Sequence, residues 1–162
     1  MLKPNHDPFE LAQKLSGYHL IDGNLTAAES RETFPVLNPA TGKTIGHAAS
    51  GDKRDVDRAV AAAVSAQRDW ASKPARERGK VIAECGRLLN DHIEELGRLV
   101  ALESGKALRT ESRVEASILA DSFIYFGGLA SELKGETIPY NTTSLTMTVR
   151  EPVGVVGAII PW

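Results

Sequence analysis

The strongest constraint on what this chain can fold into lies in residues 145–162, LTMTVREPVGVVGAIIPW. Over residues 145–150 apolar and polar side chains alternate, with Leu145, Met147 and Val149 set against Thr146, Thr148 and Arg150. That period of two predicts a strand with one covered and one wet face. Pro152 ends it, because a proline has no N–H for a ladder. Residues 153–160 then run apolar without alternation, the pattern of a parallel strand covered on both faces. Such a strand needs strand neighbours, and the candidates upstream are short. The rest of the chain therefore reads as a wrapper around a core that begins at residue 153.

Taken in order, residues 1–16 are a polar, mixed extension, with a short helix predicted over residues 8–15. Residues 19–21 and 25–27 flank Asp22-Gly23-Asn24, a hairpin signal with glycine where a positive φ is needed. Residues 34–37 and 44–49 flank Asn38-Pro39-Ala40-Thr41-Gly42, which is turn chemistry throughout. Three helices are predicted next. The first spans residues 52–72, with Val56, Ala59, Val60, Ala63, Ala66 and Trp70 as its apolar stripe. The second starts at Pro74, a favoured first-turn residue, runs to Glu103 on Ile82, Cys85, Leu89, Ile93, Leu96 and Val100, and is capped by Gly105. The third, residues 107–133, is apolar on two sides, through Val114, Ile118, Tyr125 and Leu129 and through Leu119, Phe123, Phe126 and Ala130. Gly127-Gly128 inside it costs about 2 kcal/mol of helix propensity, which points to close backbone packing there.

Composition excludes several function classes. With 19 basic and 21 acidic residues the net charge is -2, which gives no electrostatic case for nucleic acid or an acidic membrane surface. Cys85 is the single cysteine, so an internal disulfide and a cysteine-rich metal cluster are both excluded. The first residues carry no apolar run of signal-peptide length and no stretch approaches a membrane span, so a cytoplasmic location is expected and the sequons at Asn24 and Asn141 read as chance matches.

Catalytic motifs fail when tested singly. Gly42-Lys43-Thr44 resembles the end of a phosphate-binding loop, but Leu37 stands where the first glycine belongs and the segment lies in a hairpin. Gly154 and Gly157 do not complete a dinucleotide fingerprint. Cys85 lies on the apolar stripe of a helix and reads as a structural thiol, while His6, His19, His47 and His92 have no metal-ligand spacing.

Seven phrases, in order, carry a resemblance: Ile21-Asp22-Gly23, FPVLNPATG from Phe34, Asp55-Val56-Asp57, ARERG from Ala75, Glu103-Ser104-Gly105-Lys106, GETIP from Gly135, and residues 150–162 beginning REPVGVVG. By these the chain resembles the amino-terminal part of the NAD(P)-dependent aldehyde dehydrogenase superfamily. The resemblance implies an α/β fold, the amino-terminal part of a modified Rossmann domain. Residues 17–140 would hold the hairpins and helices of the cofactor-binding domain, residues 141–152 an oligomerisation flap strand, and residues 153–162 the first core strand. It also implies that Ile159, Ile160, Pro161 and Trp162 line a cleft for NAD or NADP, and that the Leu37 carbonyl and the Glu103 side chain hold a structural monovalent cation.

The implied whole protein oxidises an aldehyde to a carboxylic acid through a cysteine thiohemiacetal and thioester, as a homo-oligomer, dimer or tetramer. In the family an asparagine follows the Pro-Trp pair, and the nucleophilic cysteine and glutamate base lie far downstream, so this chain alone is expected to be inactive. Two other readings stay open: a non-catalytic oligomerisation module, and part of a related acyl-thioester or acyl-phosphate reductase.

Overall fold

The structure is a computed structural model, and it describes residues 7–160. Asp7 opens α1 (Pro8–Leu15), its carboxylate accepting the Phe9 N–H at 2.9 Å with proline in the first turn. Strands β1 (His19–Ile21) and β2 (Asn24–Thr26) pair antiparallel around Asp22-Gly23, both with positive φ (52° and 72°), which two-residue hairpins require. The second strand starts one residue earlier than the sequence pattern predicts, because Asn24 pairs with Ile21. Strands β3 (Thr33–Leu37) and β4 (Thr44–Ala49) form the second hairpin, with an irregularity between Val36 and Leu37.

α1 lies across β4. Gln13 donates to the Ile45 carbonyl at 2.9 Å, and Ser16 Oγ accepts the His47 N–H at 2.9 Å. Gly46 makes this approach feasible, since a Cβ there would stand 2.8 Å from Ser16 Oγ and 3.1 Å from the Ala12 carbonyl oxygen.

α2 (Lys53–Ser72) begins with a reciprocal cap. Asp52 accepts the Arg54 N–H at 2.7 Å, and Asp55 accepts the Asp52 N–H at 3.0 Å. The helix is as predicted, but its apolar stripe is not covered: Val56 and Val60 are exposed, and Asp55 is its buried residue.

The predicted helix over residues 74–103 is two helices, α3 (Ala75–Asp91) and α4 (Ile93–Ser104). His92 separates them at φ -115° and ψ 14°, and its Nδ1 sits 2.7 Å from Glu95 Oε2. The third helix also differs from expectation. It starts with a π-helical turn, Leu108–Ser112, continues as α5 (Arg113–Leu129), and stops short of residue 133.

α3, α4 and α5 make the densest part of the molecule, and glycine is the reason. A Cβ on Gly79 would stand on the Gly127 backbone and 2.8 Å from Ala130 Cβ. One on Gly86 would meet the Ala120 carbonyl oxygen at 2.7 Å, and one on Gly127 would meet Ala83 N at 2.7 Å. The close packing predicted at Gly127-Gly128 is thus formed by Gly127, while Gly128 faces open space. A bidentate ion pair adds to the seam: Arg113 donates to both oxygens of Glu94 at 2.6 and 2.8 Å, and Arg98 donates to the same carboxylate at 2.7 Å.

Past α5 the order thins. Strands β5 (Thr137–Ile138) and β6 (Thr146–Met147) form a short antiparallel pair, so the alternating strand expected over residues 145–150 is two residues long. Residues 153–160 carry no strand and are exposed, so the buried strand expected there is not formed within these residues alone. The physical reason is that a ladder is not a property of one segment. Its N–H and C=O groups need a neighbouring strand, and none among the described residues lies alongside. Among the described residues the buried hydrophobic side chains are Ala28, Ile45, Ala49, Ala116 and Ala120, a core made almost wholly of alanine.

Candidate functional site

Two places bear on function: the junction between the second hairpin and the end of α4, and the exposed tail beside α2. The junction is built by turn chemistry. The Ala40 N–H donates to Asn38 Oδ1 at 2.9 Å, and the Gly42 N–H to the Asn38 carbonyl at 2.8 Å, closing the loop after Leu37. Gly105 ends α4 in the left-handed conformation, φ 74°, and donates its N–H to the Ala101 carbonyl at 3.0 Å. A Cβ on Gly105 would stand 2.8 Å from Pro39 Cγ, so the loop seats directly on the helix end.

This contact brings the two predicted cation ligands onto adjoining elements. Glu103 is exposed on the last turn of α4, and with Val36, the residue before Leu37, it lines a cavity of about 210 Å³. Ala12, Leu15, Ile45 and Leu99 supply its apolar wall. The donor chemistry fits a hard monovalent cation, because a carboxylate and a main-chain carbonyl are both oxygen ligands. The end of a helix adds partial negative charge, and that makes Glu103 an unfavoured residue there without a cation beside it. Among the described residues no ion pair engages Glu103.

The tail holds the predicted cofactor-contacting residues. Ile159 and Ile160 are exposed, Ile159 completely, and the structure does not bring them against any other site residue. Pro161 and Trp162 lie outside the described residues. Closer to α2, Gly154, Val155 and Val156 face Ala63, Ala66, Gln67 and Trp70 across an open cavity of about 550 Å³. Arg150, Glu151 and Pro152 border a second cavity against Trp70, Ala75, Arg78 and Leu133. The same helical stripe singled out in the sequence therefore faces this segment, at arm's length.

Cys85 is half-buried and lines an apolar groove with Leu11, Leu15, Leu88, Leu96 and Phe123, in keeping with a packing residue. His92 and Glu95 border that groove too, a pair sequence reading did not single out; the three-residue spacing across a helix start was its signal. Among the described residues no group of three His, Cys, Asp or Glu side chains has metal-binding geometry.

The electrostatics are concentrated elsewhere. Donation from Arg113, and then from Arg98, holds the Glu94 carboxyl down at about 2. Asp55 also sits below the ordinary carboxylate range, chiefly because the Asp52 N–H bonds it and next because the Glu29 N–H does. Both groups fix elements in place rather than face a cleft.

The chain as a whole is similar to known proteins. A family model described as "Aldehyde dehydrogenase family" matches residues 25–162. Mitochondrial benzaldehyde dehydrogenase of Antirrhinum majus is 40% identical over 145 residues, covering 88% of this chain and 27% of the relative. The solved structure of an aldehyde dehydrogenase from Bacillus cereus superposes with a TM-score of 0.84 at 31% identity, over 94% of this chain and 31% of that one. Betaine aldehyde dehydrogenase from Staphylococcus aureus, solved with NAD+, superposes with a TM-score of 0.77 at 32% identity, over 84% of this chain and 27% of that one. The chain thus spans 27% of the length of the curated relative.

Proposed function

The chain belongs to the aldehyde dehydrogenase family, and from that premise we propose that it serves as the amino-terminal part of a subunit that oxidises an aldehyde to a carboxylic acid with NAD or NADP. In this reading residues 17–140 are the outer part of the cofactor-binding domain, residues 141–152 an oligomerisation flap, and residues 153–162 the first strand of a Rossmann-like sheet. The observation that carries it is the pair of open apolar faces. Val155 and Val156 border a space opposite the uncovered stripe of α2, and Val153, Ile159 and Ile160 are exposed on the same segment, an arrangement that further strands of the same subunit would close on both sides.

Within such a subunit this segment positions and shields. Ile159, Ile160, Pro161 and Trp162 form an apolar wall at the carboxyl end of the first core strand, where ligands of parallel sheets sit. They exclude water from the cofactor and carry no proton. NAD or NADP, when bound, accepts the hydride of the substrate carbon. The cysteine nucleophile and the glutamate base are supplied by other residues of the subunit, since Cys85 packs among leucines. Glu103 and the Leu37 carbonyl would hold a monovalent cation, which would add oxygen coordination where the second hairpin meets the end of α4.

The unpaired edge of the short β5–β6 ribbon offers its backbone to a second copy, which supports a homo-oligomer. At a net charge of -2 a nucleic-acid partner has no support, and among the described residues no helix is long and apolar enough to cross a membrane. A cytoplasmic location is part of the proposal, although the Antirrhinum relative is mitochondrial.

The test is aldehyde-dependent formation of reduced nicotinamide by the protein that carries this segment, alongside an Ile160→Asp variant. The reading expects turnover, a raised KM for NAD(P) in the variant with the aldehyde KM little changed, and no turnover by the 162 residues alone. Turnover by the 162 residues alone, or a cofactor KM indifferent to Ile160→Asp, would contradict it.

A further inference from the structure

The turn of the first hairpin holds a chemically reactive pair of residues. Asp22 is the only aspartate in the sequence that a glycine follows, and no asparagine precedes one. Both residues of the pair are exposed, and a Cβ built on Gly23 would meet nothing within 4 Å. Packing therefore screens neither the Gly23 nitrogen nor solvent from the Asp22 side chain. Elsewhere the same chemistry is blocked. Asp57, Asp69 and Asp121 precede Arg58, Trp70 and Ser122 inside α2 and α5, where the next N–H is held in the helical ladder.

The backbone of the turn favours ring closure as well. Asp22 and Gly23 have φ of 52° and 72°, the two positive values of a type I′ turn. Type II′, the other turn suited to a two-residue hairpin loop, keeps φ positive at its first central residue, with ψ at about -120°. A five-membered ring through Asp22 Cα, Cβ, Cγ, the Gly23 nitrogen and the Asp22 carbonyl carbon needs Cβ to eclipse that nitrogen. For an L residue this is the same ψ of about -120°. Flipping the one peptide between Asp22 and Gly23 thus reaches the geometry of the ring with the pairing of Ile21 and Asn24 left in place. The left-handed φ, unfavourable for an L residue, is already set by the fold. One contact opposes the flip: Asn24 Nδ2 donates to the Asp22 carbonyl oxygen at 2.8 Å, and that oxygen has to swing away.

We infer that Asp22-Gly23 is a site of spontaneous isoaspartate formation in the folded chain, with the Asn24 amide as its latch. The Gly23 nitrogen attacks Cγ of the protonated Asp22 carboxyl. The N–C bond forms, the C–OH bond breaks, and the hydroxyl leaves with the amide proton as water. Water then opens the succinimide at either carbonyl. Attack at Cγ restores aspartate, whereas attack at the main-chain carbonyl breaks its bond to the Gly23 nitrogen and routes the chain through the side chain. One water is released and one consumed, with no oxidant or second substrate. The added methylene lengthens the main chain of a two-residue loop, so the loop loses its match to the twist of β1 and β2.

The test incubates the native 162-residue chain, Asp22→Glu and Asn24→Ala in warm neutral buffer. The peptide holding residue 22 is followed by chromatography and electron-transfer mass spectrometry, with the native chain in urea as the unfolded reference. Circular dichroism first confirms that the variants fold. The folded native chain is expected to yield an isoaspartyl peptide of unchanged mass and an intermediate one water lighter. Asp22→Glu should yield neither, and Asn24→Ala should yield both several-fold faster. Isomerisation in urea with none in the folded chain would overturn the inference, and a rate unchanged in Asn24→Ala would remove the latch from it. Should Asn24→Ala fail to fold, Asn24→Asp, which lacks the donor at the same size, takes its place.

Discussion

The contact between α3 and α5 and the contact between α2 and residues 153–156 are both apolar, yet the first is closed and the second open. In the first, Gly79, Ala83 and Gly86 let one helix backbone lie on another, so buried area is gained by approach rather than by side-chain size. In the second, Trp70, Val155 and Val156 stand around a space of about 550 Å³. Large apolar side chains face solvent there, as they do on the far side of α5 at Ile118, Tyr125 and Phe126. The difference separates a joint that is complete within these residues from a surface shaped for cover.

The largest effect expected is from filling the closed joint. Gly79→Val places branched carbons on the Gly127 backbone, which cannot yield as a side-chain end can. A loss of about 3 kcal/mol is expected, read as a lower urea midpoint with helix content falling in the same transition.

Acid probes the same joint through its ion pair. Glu94 has a folded value of about 2 against an ordinary 4.5. A depressed folded value means its contribution is complete above 4.5 and is lost as the pH falls toward 2. The urea midpoint of the native chain should therefore drop across that window, and Glu94→Gln, already lacking the charge, should show a shallower drop. An identical slope in the two proteins would remove Glu94 from the account.

Gly105→Ala is expected to cost about 1 kcal/mol for the left-handed backbone, with a further loss from the Pro39 contact, and thermal unfolding reads both. Gly128→Ala sharpens the comparison by its sign. One residue from the crowded Gly127, it adds a methyl group into open space in a helix and should raise stability by about 0.5–1 kcal/mol. Smallest of all, Val60→Gln on the open stripe of α2 should move the midpoint by no more than about 0.5 kcal/mol in this chain.

Features with local causes were legible in the sequence. Asp22-Gly23 and Asn38 to Gly42 set their turns, Gly105 stopped a helix, and the 3–4 spacing marked α2. Features that depend on a partner were not. Whether residues 153–160 form a strand depends on a neighbour that no local pattern supplies, and the α2 stripe reads the same whether or not anything covers it. The break at His92 was hidden because the apolar stripe continues across it from Leu89 to Leu96. The glycine seam had a visible signal, Gly79 and Gly86 seven residues apart with Ala83 between, although glycine in a helix reads first as a defect. The bridge from Arg113 to Glu94 joins residues 19 apart and leaves no periodic trace. As for the site, Leu37, Glu103 and the cleft residues came from resemblance alone, and spacing would not have found them.

The central claim, that the helical joint stands by itself while residues 153–160 await a covering sheet, is tested most directly by native-state amide hydrogen exchange on the 162-residue chain. The account predicts that amides of α3 and α5 around Ala83, Gly86 and Ala120 exchange slowest, through global opening. Amides of residues 153–160 should exchange at the rate of an unstructured peptide. Protection at Val155 or Ile160 comparable with that at Ala120 would contradict it.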